Sequence, residues 1–157
     1  MTSQKAWSLN KVIPAAAAIY ADQDVVGGLL TLSGALDENF RTGQLISGFL
    51  SDKAAVMGTV NIYIFDENPT ASTFTDQATF AVDDADISKI VGVLTFSSVI
   101  DTGSSYLSAA SFSNGLPVPV KSSDGTLYAV AVCSGTPTFT ANCLTLKLQV
   151  IQDGPNY

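Results

Sequence analysis

The sequence predicts an all-β domain, a sandwich or barrel, on two observations. Ser and Thr together supply 32 of the 157 residues while charged residues make up only 13%, and hydroxyl side chains are indifferent helix formers that suit half-exposed pleated strands. Short apolar or alternating runs are separated by turn chemistry at Asp101-Thr102-Gly103, Asn114-Gly115, Asp124-Gly125 and Gly135-Thr136-Pro137, the punctuation of many short strands. A chain of 157 residues and 16.3 kDa is one domain. Area scaling gives it roughly 7,500 Å² of folded surface, a core large enough to need neither metal nor disulfide.

Residues 1–14 differ from the rest. Trp7, Leu9 and Val12-Ile13 stand among polar residues and Pro14 stops the run, which predicts an extended N-terminal arm beside a single domain over 15–157. Val25 to Leu32 reads as a strand kinked at Gly27-Gly28, where a missing Cβ permits a bulge or close backbone approach. Gly43–Ser51 and Val56–Phe65, joined by Asp52-Lys53, read as a hairpin; in the second run Val60, Ile62 and Ile64 alternate with Thr59, Asn61, Tyr63 and Phe65. The stretch from Asp66 to Asp86 holds six of the fourteen acids, and Asp83-Asp84-Ala85-Asp86-Ile87 predicts one capped helical turn, carboxylates being favoured at a helix N-terminus.

Further strands are expected at Ile90–Val99, Tyr106–Phe112, Leu127–Cys133 and Leu144–Ile151, the last alternating Leu144, Leu146, Leu148 and Val150 with Thr145, Lys147 and Gln149. Pro117 and Pro119 cannot donate to a ladder, so 116–120 belongs on a sheet edge.

Charge and residue content remove whole classes of function. A net charge of −7 with scattered Lys and Arg lacks the footprint that holds a phosphate backbone, so nucleic acid is not an expected partner. The chain has no His, which excludes Ser-His-Asp and Cys-His nucleophilic sites and His-ligated zinc. No apolar run reaches 18 residues and the N-terminus lacks an export layout, so the expectation is a soluble protein made in the cytosol, with no membrane partner.

The remaining groups each carry a functional and a plain structural reading. Cys133 and Cys143, placed on neighbouring strands of a hairpin, are two buried thiols, a late disulfide or reactive groups. Asp83, Asp84 and Asp86 cap a helix and face water, or hold a cation, though the Gly and distal Glu of an EF-hand loop are missing. A carboxylate-dependent hydrolase would need two acids converging with opposed pKa shifts. Trp7 packs at the base of the domain or docks onto another chain; beside Val12-Ile13 it is the type of anchor that concentrates binding energy. Neither catalysis nor a cofactor or metal is expected.

The strings Tyr20–Leu32 (YADQDVVGGLLTL), Asn61–Phe96 and Gly115–Phe139, with the closing LTLKLQVIQD, resemble the capsid cement, or head decoration, proteins of tailed bacteriophages, over about Tyr20 to Asp153. The resemblance implies a jelly-roll-like β-sandwich and no catalytic residue. It implies a homo-oligomer, a dimer or trimer, that binds the major capsid protein on the capsid exterior of the virion, after synthesis in the host cytoplasm, and ties neighbouring capsomers together. The interface residues expected from residue type are Trp7, Leu9, Val12, Ile13, Pro117 and Pro119. The alternative is a phage tail or fibre-associated module that recognises a host-surface glycan through Tyr63, Tyr106 and Tyr128.

Overall fold

The computed structural model describes residues 2–113, 115 and 117–156. In chain order the strands are β1 (Thr2–Ile13), β2 (Ala18–Ile19), β3 (Val25–Leu32), β4 (Thr42–Asp52), β5 (Val60–Phe65), β6 (Ile90–Phe96), β7 (Val99–Asp101), β8 (Tyr106–Ala109), β9 (Ser111–Phe112), β10 (Val118–Lys121), β11 (Leu127–Cys133), β12 (Thr138–Phe139) and β13 (Leu144–Asn156). The only helical element among the described residues is a 3-10 turn at Ile87–Lys89. The expected all-β class and the limit of one short helix both hold.

One sheet runs β1-β13-β4-β8-β7, and β10 lies beside β8 along the same side of β4. The second runs β3-β11-β5-β6-β9, and β12 pairs β2 separately. Every pairing is antiparallel. The chain ends meet in β1·β13, followed inward by β3·β11, β4·β8 and finally β5·β6. That is one long antiparallel ribbon rolled so that alternate pairs fall in opposite sheets, the jelly-roll winding. The inner faces meet in a single core, with Leu144, Leu146, Leu148 and Val150 of β13 packed in the same cluster as Ile62, Ile64, Leu94 and Phe96. The accessible surface, 7576 Å², is close to the value expected for a folded chain of this mass.

The kink in β3 is a bulge. The register steps from Leu29 opposite Val130 to Val26 opposite Ala131, leaving Gly27 and Gly28, at φ +79° and +75°, without partners of their own. A Cβ on Gly27 would sit 2.8 Å from Pro14 Cδ and 2.9 Å from Ile13 Cγ2, so this glycine lets the C-terminal end of β1 seat against β3.

Residues 2–13 form the expected extended N-terminal segment, hydrogen-bonded along β13 from Thr2 opposite Asn156 to Ile13 opposite Leu144, because β13 presents a full-length edge to it. Four expectations about the strands need correction. Gly43–Ser51 and Val56–Phe65 do not form a hairpin, since β4 and β5 lie in different sheets. Asp52 accepts backbone N–H bonds from Ala54, Val56 and Met57, each 2.8 Å, and this knot carries the chain from one sheet to the other. Cys133 and Cys143 end and precede strands of opposite sheets, because the intervening segment bonds to residues 15–20 (Asn142 N–H to the Ala15 carbonyl, 3.0 Å; Tyr20 N–H to the Pro137 carbonyl, 2.9 Å) instead of closing a hairpin. Both cysteines are free and buried. Tyr106–Phe112 divides into β8 and β9 in opposite sheets, and Ile90–Val99 likewise divides into β6 and the start of β7. The edge position of Pro119 is as expected, opposite Gln44 on a strand that pairs only β4. The expected turn at Asn114, and Leu116, lie outside the described residues.

The acidic stretch 66–89 lies as a strap over the outer face of the second sheet. Phe74, Phe80 and Val82 pack on Val25, Phe65, Val130 and Val132. The Asp76 carboxylate accepts bonds from the Tyr20 hydroxyl (2.8 Å) and the Gly27 N–H (2.7 Å), which fastens the strap to the bulge. Asp86 sits at the N-cap of the 3-10 turn, yet its side chain makes no cap bond. It accepts instead from Ser72 N–H and Oγ and from Lys89 Nζ, all at 2.7 Å, a correction to the expected capping role.

Candidate interface surface

The six proposed interface residues divide between two edges of the six-stranded sheet. On β1, Trp7 lies opposite Val150 and Leu9 opposite Leu148, so both side chains share the inward face of β13. Trp7 is at the uncovered end, 40% exposed, with Lys5 Nζ 4.9 Å from its ring centroid. Leu9 is half-buried against the core. Val12 has the opposite parity and is exposed on the outer face, opposite Thr145. Ile13 is fully buried and is not an interface residue: the glycine bulge of β3 draws it into the core. Pro117 and Pro119 are exposed at the other edge of the sheet.

What joins these edges is the sheet's outer face, which no other element among the described residues covers. Cross-strand partners share a face in an antiparallel sheet, so the register defines its rows. One row is Val12, Thr145, Ser51, Leu107 and Ile100; the next is Asn10, Lys147, Phe49 and Ala109; the third is Ser8, Gln149 and Ser47. Beyond the bulge at Ile46 come Ala6, Ile151, Gln44 and Pro119. Ile46 and Ile100 are exposed while Phe49 and Leu107 are half-buried. Ser47 Oγ donates to Gln149 Oε1 across the third row. Two shallow depressions mark the face, about 230 Å³ beside Ala6, Ser8, Ile46 and Gln149 and about 190 Å³ between Asn10, Phe49, Leu107 and Lys147. Ile46, Phe49, Ile100 and Leu107 escaped the sequence reading. The off-parity apolar residues of the run Gly43–Ser51 were the available signal.

A larger groove of about 410 Å³ opens at the β10 edge, lined by Gln44, Asp66, Pro119, Lys121 and Asp153 among others. Thr42 Oγ1 donates to Asp153 (2.8 Å). Burial, reinforced by neighbouring Glu67, raises the pKa of Asp66 above the ordinary aspartate value.

Most of the other candidates are taken up by internal contacts, while Asp84 is exposed on the strap. Asp83 accepts the Ala85 N–H (2.9 Å). Burial pushes the Asp86 carboxyl up, but bonds from Lys89 and Ser72 outweigh it and hold the pKa below the usual value. Lys89–Asp86 is the only salt bridge among the described residues, and among them no group of three or more metal-ligating side chains occurs. The Cys133 thiol is pushed up to about 11, chiefly by burial, and burial also raises Cys143. The three tyrosines do not share a surface: Tyr63 stacks on Phe80 of the strap with ring centroids 4.4 Å apart, Tyr128 packs in the same cluster, and Tyr106 lies in the other sheet. No helix among the described residues is long and apolar enough to cross a membrane.

No protein-family model and no curated protein matches the chain. Among solved structures, it aligns with a chain of turnip yellow mosaic virus at 14% identity and a TM-score of 0.36, covering 100% of this chain and 95% of that one. It aligns with a second turnip yellow mosaic virus structure at 13% identity and a TM-score of 0.36, covering 100% and 82%. With the D431N mutant VP2 protein of infectious bursal disease virus the values are 15% and 0.21, covering 98% and 41%.

Proposed function

We propose that this chain is a structural virion protein that binds the outer surface of a tailed-phage icosahedral capsid and cements neighbouring capsomers. The observation that carries the reading is the uncovered outer face of the six-stranded sheet, bounded by the exposed edge strand β1. It offers hydroxyl, amide and apolar groups on a hydrogen-bonded sheet, suited to burial against another protein. The sequence resemblance to cement proteins supports the same reading. A shell under internal pressure is stabilised by burial that becomes available only after expansion, so binding energy is the whole of the activity and no bond is made or broken. The protein acts as a homo-oligomer whose copies engage several capsomers, and linked weak contacts gain effective concentration. The test is titration of purified protein onto expanded shells, from the virus that encodes the chain, that lack it. Saturable binding at fixed stoichiometry is the expected result, and its absence refutes the proposal.

A further inference from the structure

The charges of the strands and of the strap are sorted by sheet. No strand of the five-stranded sheet carries a charged residue, and the strap over it carries Asp66, Glu67, Asp76, Asp83, Asp84 and Asp86 against the single Lys89. The strands of the six-stranded sheet carry Lys5, Lys11, Lys121 and Lys147 against three acids, Asp52, Asp101 and Asp153. Of these, Asp52 is fully buried and bound to three backbone N–H groups. In a chain of net charge −7, the strap is therefore strongly acidic while the strands of the six-stranded sheet carry one more cation than acid; the loops outside both hold Asp22, Asp24, Asp37, Glu38 and Asp124 with Arg41 and Lys53.

On the outer face of the six-stranded sheet the sorting is sharper. The three central rows, from Val12–Ile100 to Ser8–Ser47, contain no carboxylate, and Lys147 is their one charged residue. It is exposed, flanked by Asn10 and Phe49 in its own row, and lies on the wall of the depression that Phe49 and Leu107 also line. Asp153 stands only at the far end, already bonded by Thr42.

We propose that this face docks on an acidic protein surface that places a carboxylate against Lys147, with the strap turned away from it. The inference rests on the capsid-binding reading and names the partner's chemistry there: the shell surface it meets is acidic. A basic partner would find six acids on the strap side and none in these rows. A second copy is disfavoured, because a two-fold through the centre of the face brings Lys147 against its own equivalent, and like charges brought together at an interface are costly. The charge asymmetry also orients the encounter, since the acidic strap is repelled by the surface that Lys147 approaches.

The experiment is binding of wild type and four variants to shells that lack the protein, with far-UV circular dichroism to verify folding. Lys147→Glu and Asn10→Asp both alter exposed groups in the central row, the first reversing the charge and the second setting a carboxylate beside Lys147. Each is expected to raise Kd at least tenfold, Lys147→Arg to stay within about threefold of wild type, and Asp84→Lys on the strap to leave binding within about twofold. If wild type binds and Lys147→Glu and Asn10→Asp bind equally well, the inference is wrong while the capsid-binding reading stands. If wild type does not bind, both fall. Sedimentation of wild type and Lys147→Glu tests the remaining occupant: a wild-type oligomer that this substitution dissociates would assign the face to a second copy and overturn the proposal.

Discussion

Replacing Asp52 with Ala tests the corner that sends the chain from one sheet to the other. The carboxylate is fully buried; Oδ1 accepts from Ala54 and Oδ2 from Val56 and Met57, each at 2.8 Å. Hydrogen bonds to a charged group each contribute about 1.5–3 kcal/mol net, and a buried donor left alone costs about 1–3 kcal/mol. The Met57 bond is buried whereas those of Ala54 and Val56 are partly so, and water replaces much of what the latter two lose. The expected destabilisation is therefore about 3 kcal/mol, or a fall in Tm of about 6–12 °C for a domain of this size. Asp52→Asn keeps an acceptor for the Val56 and Met57 pair and sacrifices the Ala54 bond, so it should fall between wild type and Asp52→Ala. Urea titration followed by far-UV circular dichroism measures both. A loss below about 1 kcal/mol for the Ala variant, or an Asn variant no more stable than it, would refute the assignment of this corner to the Asp52 carboxylate.

Gly27→Ala should destabilise by about 2–4 kcal/mol, combining left-handed backbone strain with overpacking against Pro14 and Ile13; thermal unfolding reads it, and Gly34→Ala, with the same hand of backbone but open space around it, should cost less. Native protein should show no fast thiol titre with Ellman's reagent at pH 8 and two equivalents after unfolding, since both cysteines are free and buried and the Cys133 pKa near 11 leaves little thiolate. The Asp86 pKa is depressed in the fold, so its contribution to stability is present above the ordinary aspartate pKa and is lost as pH falls through the folded value. Asp86→Asn should accordingly lower stability at pH 7 and flatten the decline on the acid side of the ordinary aspartate pKa in urea titrations, and an unchanged acid limb would contradict the assignment.

The strands were legible because their signal is local. Alternation over Val60–Phe65 and Leu144–Val150 marks which side chains point inward, and Gly27-Gly28 marks the bulge without reference to anything distant. Sheet membership was not legible, because it depends on where the chain turns a corner. Asp52-Lys53 looks like a hairpin turn in sequence, and only the three N–H groups gathered by Asp52 reveal a crossing. The same holds for the candidate surface. Trp7, Val12 and Pro119 stand out by residue type, but Phe49, Lys147 and Leu107 become one patch only through a register linking β4, β8 and β13 across about a hundred residues. Ile13 was misplaced because the notch that receives it is made by a glycine on another strand. Asp86 looked like a cap because its partner Ser72 lies fourteen residues away, beyond any local pattern.

The union of β1 with β13 has a consequence for biogenesis. As the ribosome extends the chain, Trp7 and its neighbours emerge early, while the strand that will hydrogen-bond them is the last of the thirteen to be translated. Until then the leading segment presents unsatisfied backbone donors and acceptors and has no native strand to pair with, a state open to mispairing between nascent chains on one messenger. Its lysines at positions 5 and 11 are the kind of residue that discourages such pairing while the closing segment is still being made.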